Sequence, residues 1–256
     1  MTKSTVNNDP CAVILTAIPV EYAAIRAHLS DLEEVTHKGK VYEQGKFRGA
    51  YHGWKVGITE VGTGNSTSAM ETERAINFFK PEVIIFVGIA GGIKDLKLGD
   101  VVAADKAYGY ESGKVAKSGF LSRPDVGLST YSILERARAE ARKEDWKKRI
   151  PPLKRKNNPS IIIKPIAAGE KVVTEIRSDV YKLIKNNYND TVAVEMEGSG
   201  FYAACRANEG LQFLIVRGIS DLLKNKELAD KAGFQEIAAN NASAFAFEVL
   251  SKFKTR

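Results

Sequence analysis

Residues 83–87 form an uninterrupted apolar run between Pro81 and a glycine-rich stretch. An apolar run that follows a helix stop predicts a strand covered on both faces. Further apolar runs lie at residues 12–15, 101–104 and 161–163, and residues 55–61 alternate weakly, as in a strand. Because helical patterns separate these runs, the sequence predicts a largely parallel sheet with helices on both sides.

Apolar spacings of three and four residues predict the helices. Tyr22, Ile25, Leu29 and Leu32 share one such face after the first strand. Further helices are predicted after the turn at residues 62–65, across residues 136–148 and along residues 234–249. We therefore expect a single α/β domain over residues 1–256, with a central mixed, largely parallel twisted β-sheet flanked by helices.

The positive charge of the chain is concentrated in one segment. The formal net charge is +7, and residues 135–156 carry ten Lys or Arg against four acids. This basic segment, a helix and loop excursion at about residues 135–159, is interpreted first as a solvated helix face. Trp146 is the aromatic residue among these bases, so a stacking platform for single strands is not indicated. We expect no nucleic-acid partner.

The termini and cysteines bear on location and cofactors. No stretch reaches 18 apolar residues, and residues 1–10 lack the apolar core of a signal peptide. Cys11 and Cys205 lie far apart in apolar contexts, which is typical of thiols in a reducing cytoplasm. Neither the cysteines nor the three histidines have metal-ligand spacing. We expect a cytoplasmic protein with no membrane partner, no metal and no organic cofactor.

Acids end two of the apolar runs. Glu195 and Glu197 flank Met196 after the run at residues 191–194, and Asp221 closes the run that begins at Phe213. Acids at the carboxyl ends of strands face the crevice in which α/β proteins place their chemistry. Since a buried unpaired charge is costly, each of these acids is expected to have a partner or a task.

Partners are available nearby for two of the acids. Arg217 can pair with Glu195 within the sheet, and Ser220 can orient Asp221. Glu21 falls on the first turn of the first helix, where a carboxylate also interacts favourably with the helix dipole. For Glu21, both a dipole partner and a catalyst remain open at this point.

Two glycine-rich stretches are candidate ligand sites. Residues 62–64 lie between a strand and a helix, which fits either a phosphate cradle or a tight turn without ligand. Ile89, Ala90 and Gly91 belong to a stretch, residues 88–92, placed where a strand is expected to end. This stretch fits either a close approach by a flat ligand or an ordinary turn.

Together these motifs resemble the purine-type nucleoside phosphorylase superfamily, and within it most of all the 5′-methylthioadenosine/S-adenosylhomocysteine nucleosidases. The resemblance covers residues 12–253, and residues 193–197 and 216–221 are its most specific parts. Residues 87–92 and 97–102 add to it. The resemblance implies a hydrolase that releases adenine from a nucleoside, and it implies a homodimer.

The resemblance also implies residue roles. Glu21 activates the attacking water, and Asp221 protonates N7 of the leaving adenine. Met196 and Glu197 hold the ribose, with the glutamate on its hydroxyls. Val172 and Val173 wall the base. These residue types suit the reaction, because one group must donate a proton while another accepts one at the same pH.

The chain departs from the pattern in two places. Related phosphorylases carry an arginine where Phe86 stands and a serine where Ile89 stands, and both groups help to bind phosphate. The departure favours water over phosphate as the nucleophile. The basic segment is longer than the family pattern, so a nucleosidase acting on AMP or ATP stays an alternative, as do a phosphorolytic enzyme and a silent ligand-binding module.

Overall fold

The computed structural model describes residues 9–117, 119–152, 158–173, 175, 177–223 and 233–255. The strands are β1 (Cys11–Thr16), β2 (Ser30–His37), β3 (Lys40–Arg48), β4 (Gly53–Glu60), β5 (Val83–Gly92), β6 (Val101–Ala104), β7 (Lys106–Gly109), β8 (Gly113–Ala116), β9 (Gly119–Ser122), β10 (Asp125–Leu128), β11 (Ile161–Ile163), β12 (Ile166–Ala168), β13 (Ala193–Glu195) and β14 (Gln212–Asp221). The helices are α1 (Pro19–Arg26), α2 (Asn65–Phe79), α3 (Tyr131–Ala141), α4 (Asp179–Asn187), α5 (Gly198–Arg206) and α6 (Phe234–Lys252), with a 3-10 helix at Asp145–Arg149.

The main sheet is mixed, with parallel pairing at its centre. β1 runs parallel to both β4 and β5, and β5 runs parallel to β14. β12 lies parallel between β7 and β13. Antiparallel pairing extends the sheet through β3 and β2 at one edge and through β10 at the other. This confirms the predicted α/β class.

The strand β5 shows why both faces of the sheet are covered. Side chains alternate between faces along a strand. Val83, Ile85 and Val87 contribute to a core that also contains apolar residues of α6. Ile84 and Phe86 contribute to a second core with residues of α2 and α5. The fully apolar sequence of β5 therefore reflects burial on both sides.

The first predicted helix is too long. α1 ends at Arg26, and Leu32 lies in β2. β2 turns back through Lys38 and Gly39, both at positive φ, and pairs antiparallel with β3. Pairing with β3 overrides the helical spacing of Leu29 and Leu32.

Of the two interpretations of residues 88–92, the ordinary turn is wrong, because β5 continues to Gly92. Its far end is held on one side by β14, whose pairing reaches Gly91. On the other side β13 pairs with Gly91 and Gly92. Long-range pairing of this kind leaves no local signal in a glycine-rich sequence.

The basic segment differs from the prediction in both its bounds and its burial. A helix was expected across residues 136–148, but α3 ends at Ala141 and a 3-10 helix follows. Trp146 is buried against Phe245 of α6 with the ring centroids 5.9 Å apart. The segment is therefore anchored to α6 by an apolar contact and is not solvated along its whole length.

The two cysteines differ in their burial. Cys11 and Cys205 are both free thiols, the first partly exposed and the second buried. In the described part of the chain, no helix has the length and apolar character needed to cross a bilayer.

Candidate active site

The site lies at a gap in the central sheet. β1 pairs with β5 as far as Phe86, and β13 pairs with β5 only at Gly91 and Gly92. In the described pairing, residues 87–90 of β5 have no strand neighbour on that side. The chain leaves the sheet at this gap from both β1 and β13, first toward α1 and then toward α5. Such a crevice beside strand ends is where α/β sheets bind ligands.

A cavity of about 200 Å³ occupies the gap. Of the residues proposed from the sequence, those that line the cavity are Glu21, Ile89, Ala90, Gly91, Val172, Val173, Glu195, Met196, Glu197, Ser220 and Asp221. Arg217 lies behind this wall. Val173 is buried in the wall, whereas Val172 is 59% exposed.

Glu21 fills the gap that β1 leaves. Its Oε1 accepts a hydrogen bond from the N–H of Ile89 at 2.8 Å, an amide that faces the unpaired side of β5. Its Oε2 accepts from the N–H groups of Ala17 at 2.7 Å and Ile18 at 3.2 Å, at the start of α1. The carboxylate is thus held by three backbone donors and is nearly inaccessible to water. Both proposed roles of Glu21, helix partner and cavity group, are compatible with this placement.

Arg217 joins two acids across the sheet. It is fully buried on β14, and its Nη2 donates to Glu195 Oε2 and, at 3.2 Å, to Glu197 Oε2. The pairing of Arg217 with Glu195 that the sequence suggested is confirmed. The contact with Glu197 was not foreseen, although Glu197 is as near to Arg217 along the chain as Glu195 is. Glu195 also accepts the N–H of Gly198 at 2.9 Å, so it anchors the start of α5.

The glycine at position 88 makes room for this cluster. A Cβ placed on Gly88 would lie 2.1 Å from Nη1 of Arg217 and 2.7 Å from Oε1 of Glu21. The guanidinium carbon of Arg217 also lies 4.4 Å from the centroid of the Phe86 ring. Phe86 therefore supports the arginine by a cation–π contact.

Burial changes the titration of the cluster. Burial raises the pKa of Glu21, against the opposing effect of Arg217 and its backbone donors. Burial likewise raises the pKa of Glu197 to about 7; Arg217 lowers it, and Glu195 and Glu21 raise it. For Arg217, burial acts to lower the pKa, but the surrounding carboxylates raise it above its ordinary value. The cavity floor thus holds more carboxyl groups than its guanidinium can neutralise.

A β-bulge presents Ser220 and Asp221 together. The register between β14 and β5 shifts between Ile219 and Asp221, which leaves Ser220 as an extra residue. Consecutive strand residues normally face opposite sides, but a bulge redirects one of them. Both side chains consequently line the cavity, and Ser220 Oγ donates to Asp221 Oδ2 at 3.2 Å. The predicted orienting contact is confirmed.

The turn at residues 62–64 is occupied by the protein's own carboxylates. The N–H of Gly64 donates to Glu197 Oε1 at 3.3 Å, and the N–H of Asn65 donates to Glu170 Oε1 at 3.1 Å. Gly62 and Gly64 both have positive φ, which suits glycine. One amide of the predicted phosphate cradle, that of Gly64, and the next amide along the chain are thus engaged by acidic side chains.

Some lining residues were not proposed individually from the sequence. They are Ala17, Ile18, Thr63, Lys171, Val194 and Gln235. Thr63 lies within the candidate stretch at residues 62–64 and Val194 within the motif at residues 193–197, while Lys171 precedes Val172, so their position beside proposed residues was the available signal. Gln235 lies in the first turn of α6, and no pattern in the sequence pointed to it.

Over the described residues, no group of three or more His, Cys, Asp or Glu is arranged to hold a metal ion.

Comparisons with known proteins agree with this architecture. A 5′-methylthioadenosine/S-adenosylhomocysteine nucleosidase of Colwellia psychrerythraea is 26% identical, over 95% of this chain and 96% of the relative. The structure of a nucleosidase of that name from Neisseria meningitidis, in complex with methylthio-immucillin-A, matches with a TM-score of 0.78 and 21% identity, over 95% of this chain and 99% of its own. A futalosine hydrolase of Helicobacter pylori matches with a TM-score of 0.77 and 22% identity, over 95% and 98% of the two chains.

The structural likenesses establish the fold, and hydrolases of different names share it. Family membership rests on a separate match, which is a sequence model described as the phosphorylase superfamily. This model covers residues 12–251, nearly the whole chain. The chain therefore belongs to the phosphorylase superfamily.

Proposed function

We propose that this protein is a nucleosidase, an N-glycosyl hydrolase that releases adenine from nucleosides of the 5′-methylthioadenosine/S-adenosylhomocysteine type. One observation carries the proposal: Glu21, Glu197 and Asp221, three buried acids from separate parts of the chain, line a single cavity. The names of the relatives that align over nearly their full length support the same reaction.

The proposed reaction divides the work between two carboxyl groups. Asp221 donates a proton to N7 of adenine, so that the bonding electrons between C1′ and N9 leave with a neutral base. The sugar becomes cationic as this bond breaks. Water adds to C1′ and gives a proton to Glu21. General acid and general base steps of this kind typically contribute 10²–10⁴-fold each.

The electrostatics of the cavity favour a cationic transition state. Glu21, Glu195 and Glu197 surround Arg217, and Asp221 becomes negative once it has given its proton to adenine. Carboxylates held in a preorganised arrangement stabilise positive charge that develops during the reaction. We assign Met196 and Glu197 to the ribose, and Val173, Ala90 and Gly91 to the base.

The same surroundings disfavour phosphate as the nucleophile. Phe86 is buried under Arg217, and the side chain of Ile89 offers no hydrogen bond. The backbone amide of Ile89 is already bound to Glu21. A phosphate dianion would thus enter a cavity lined by carboxylates without the ligands used by related phosphorylases. This supports hydrolysis rather than phosphorolysis.

The described part of the basic segment does not favour a nucleotide substrate. Lys147 pairs with Glu144 at 2.8 Å, and Lys148 pairs with Asp145 at 2.6 Å. Arg149 binds Glu248 on α6 at 2.6 Å. Gln235 lines the cavity at the start of α6, and Glu248 lies thirteen residues further along the same helix, about 20 Å away. Arg149 is therefore held far from the cavity. Lys154, Arg155 and Lys156 lie outside the described residues.

A substrate screen tests the proposal. Released adenine is measured with 5′-methylthioadenosine, S-adenosylhomocysteine, adenosine, AMP and ATP at equal concentrations. We expect the thioether nucleosides to give the highest kcat/KM. Absence of adenine release from every nucleoside would refute the proposal, and a preference for AMP or ATP would replace it with the nucleotide alternative.

Two further expectations are part of the proposal. The family resemblance implies a homodimer, and the sequence indicates a cytoplasmic location. Light scattering coupled to size-exclusion chromatography tests the first. A mass near twice the 28.1 kDa of the chain is expected, and a monomer would refute it.

A further inference from the structure

Asn65, the first residue of α2, binds two segments that lead into the cavity wall with its side chain. Its Nδ2 donates to the carbonyl oxygen of Gly169 at 3.1 Å, and its Oδ1 accepts from the N–H of Gly200 at 3.0 Å. Its own N–H donates to Glu170 Oε1 at 3.1 Å. One partner is an acceptor and the other a donor, so both ends of an amide are required.

The backbones at this junction are in close contact. A Cβ on Gly200 would lie 1.9 Å from the carbonyl oxygen of Asn65, so α5 can approach α2 only because residue 200 is glycine. Asn65 therefore lies where the two helices are in direct backbone contact. The backbone of Asn65 cannot shift toward α5 without moving that helix.

Each segment joined by Asn65 carries cavity residues. Gly169 precedes Lys171 and Val173, which line the cavity, and Gly200 follows Glu197 at the start of α5. The neighbour of Asn65, Gly64, donates its N–H to Glu197. The side-chain amide of Asn65 thus links two segments. One carries Val173, which is proposed to face the base, and the other follows Glu197, which is proposed to hold the ribose.

We propose that Asn65 is a positioning residue that sets the placement of Glu197 relative to the base-side wall, and so determines how strongly the enzyme uses the ribose hydroxyls. The inference rests on the proposed function. Binding groups must be held to within a fraction of an ångström, and a displacement of about 1 Å can cost 10²-fold in rate.

The test uses Asn65→Ala and Asn65→Asp, with Asn77→Ala as the matched control. Asn77 is also on α2, but its Nδ2 bonds to Glu73 within the exposed part of the same helix. Each variant is assayed on 5′-methylthioadenosine and on its 2′-deoxy analogue, which lacks a hydroxyl for Glu197. The ratio of the two kcat/KM values isolates use of the sugar hydroxyl from general loss of activity.

We expect Asn65→Ala to lower kcat/KM on the ribonucleoside by about 10-fold or more and the deoxy analogue by less, so that the ratio falls. Asn65→Asp keeps the acceptor for Gly200 but sets a carboxylate against the carbonyl of Gly169, so it should share the defect. Asn77→Ala should leave the ratio unchanged. An unchanged ratio in Asn65→Ala, or an equal change in the control, would overturn the inference.

Amide hydrogen exchange provides a readout independent of activity. In Asn65→Ala, peptides that contain residues 169–173 and 198–200 should exchange faster than in the wild type and in Asn77→Ala. If the wild-type protein releases no adenine, the proposed function is refuted, but the exchange data still test whether Asn65 positions these segments. If exchange is unchanged in both peptides, the positioning role is refuted even in an active enzyme.

Discussion

Two regions of this protein, the cavity and the basic segment, are rich in charged residues, but their charges are neutralised in different ways. In the cavity, Glu21, Glu197 and Asp221 are buried, and Arg217 is shared among several carboxylates. In the basic segment, each of the four acids pairs with a lysine or arginine three or four residues away. A high density of charge in the sequence therefore does not by itself indicate a functional site. A site is indicated where charged side chains are buried and there are fewer partners of opposite charge than there are charges to neutralise.

The largest effect is expected at the cavity. Asp221→Asn is nearly isosteric and removes the acid proposed to protonate N7. We expect kcat to fall by about 10²–10⁴-fold while the thermal unfolding midpoint stays close to that of the wild type. Steady-state kinetics of adenine release measure the change.

Asp145→Asn is the control for that substitution, because Asp145 pairs with Lys148 in the basic segment. It should leave kcat unchanged. Near-full turnover by Asp221→Asn would remove Asp221 from the mechanism.

The next effect concerns the free energy of unfolding. Arg217→Met leaves Glu195 and Glu197 buried without their cation, and breaking a buried pair in this way typically costs 3–5 kcal/mol. Arg138→Met removes an exposed pair with Glu135, where about 0–1 kcal/mol is expected. Urea denaturation of both variants measures the difference. Similar losses for the two would contradict the distinction between the regions.

A smaller effect concerns pH. Burial raises the pKa of Glu197 from 4.5 to about 7, so between these values the folded protein retains a proton that the unfolded chain releases. The contribution of Glu197 to the free energy of unfolding should accordingly decrease as pH rises from 4.5 to 7. In denaturation at several pH values, the difference in free energy of unfolding between wild type and Glu197→Gln should therefore shift against the wild type over this range. A difference that does not change with pH, or that shifts in favour of the wild type, would contradict the assignment.

The smallest effect is expected in the basic segment. Replacing Lys154, Arg155 and Lys156 together with Gln should change KM for 5′-methylthioadenosine and for AMP alike and by little. Added salt should likewise not separate the two substrates. A steep rise in KM for AMP or ATP alone would show that the segment binds phosphates, and would favour the nucleotide alternative.

The sequence predicted those parts of the site that depend on local pattern. Apolar runs in the sequence located β1 and β5. Glu195 and Asp221 were identified because each is an acid at the end of a later apolar run, and they end β13 and β14. What it missed depends on long-range register. The gap beside β5 arises because β1 stops at Phe86 and β13 joins at Gly91, and neither position has a signature in its own neighbourhood.

The bulge shows the same limit at a single residue. Ser220 was predicted to orient Asp221, but strict alternation along β14 would have placed them on opposite faces. The register shift against β5 brings both into the cavity. Likewise Glu197 meets Arg217 only because β14 passes behind the start of α5. Pairing partners chosen by the whole sheet decide these contacts.

A cavity lined by carboxylates implies that water, rather than phosphate, is the nucleophile. The direct measurement is product analysis with 5′-methylthioadenosine at increasing inorganic phosphate, in which adenine and the sugar product are quantified together. We expect adenine and free 5-methylthioribose in equal amounts, at a rate independent of phosphate. Formation of 5-methylthioribose 1-phosphate, at a rate that rises with phosphate, would contradict hydrolysis.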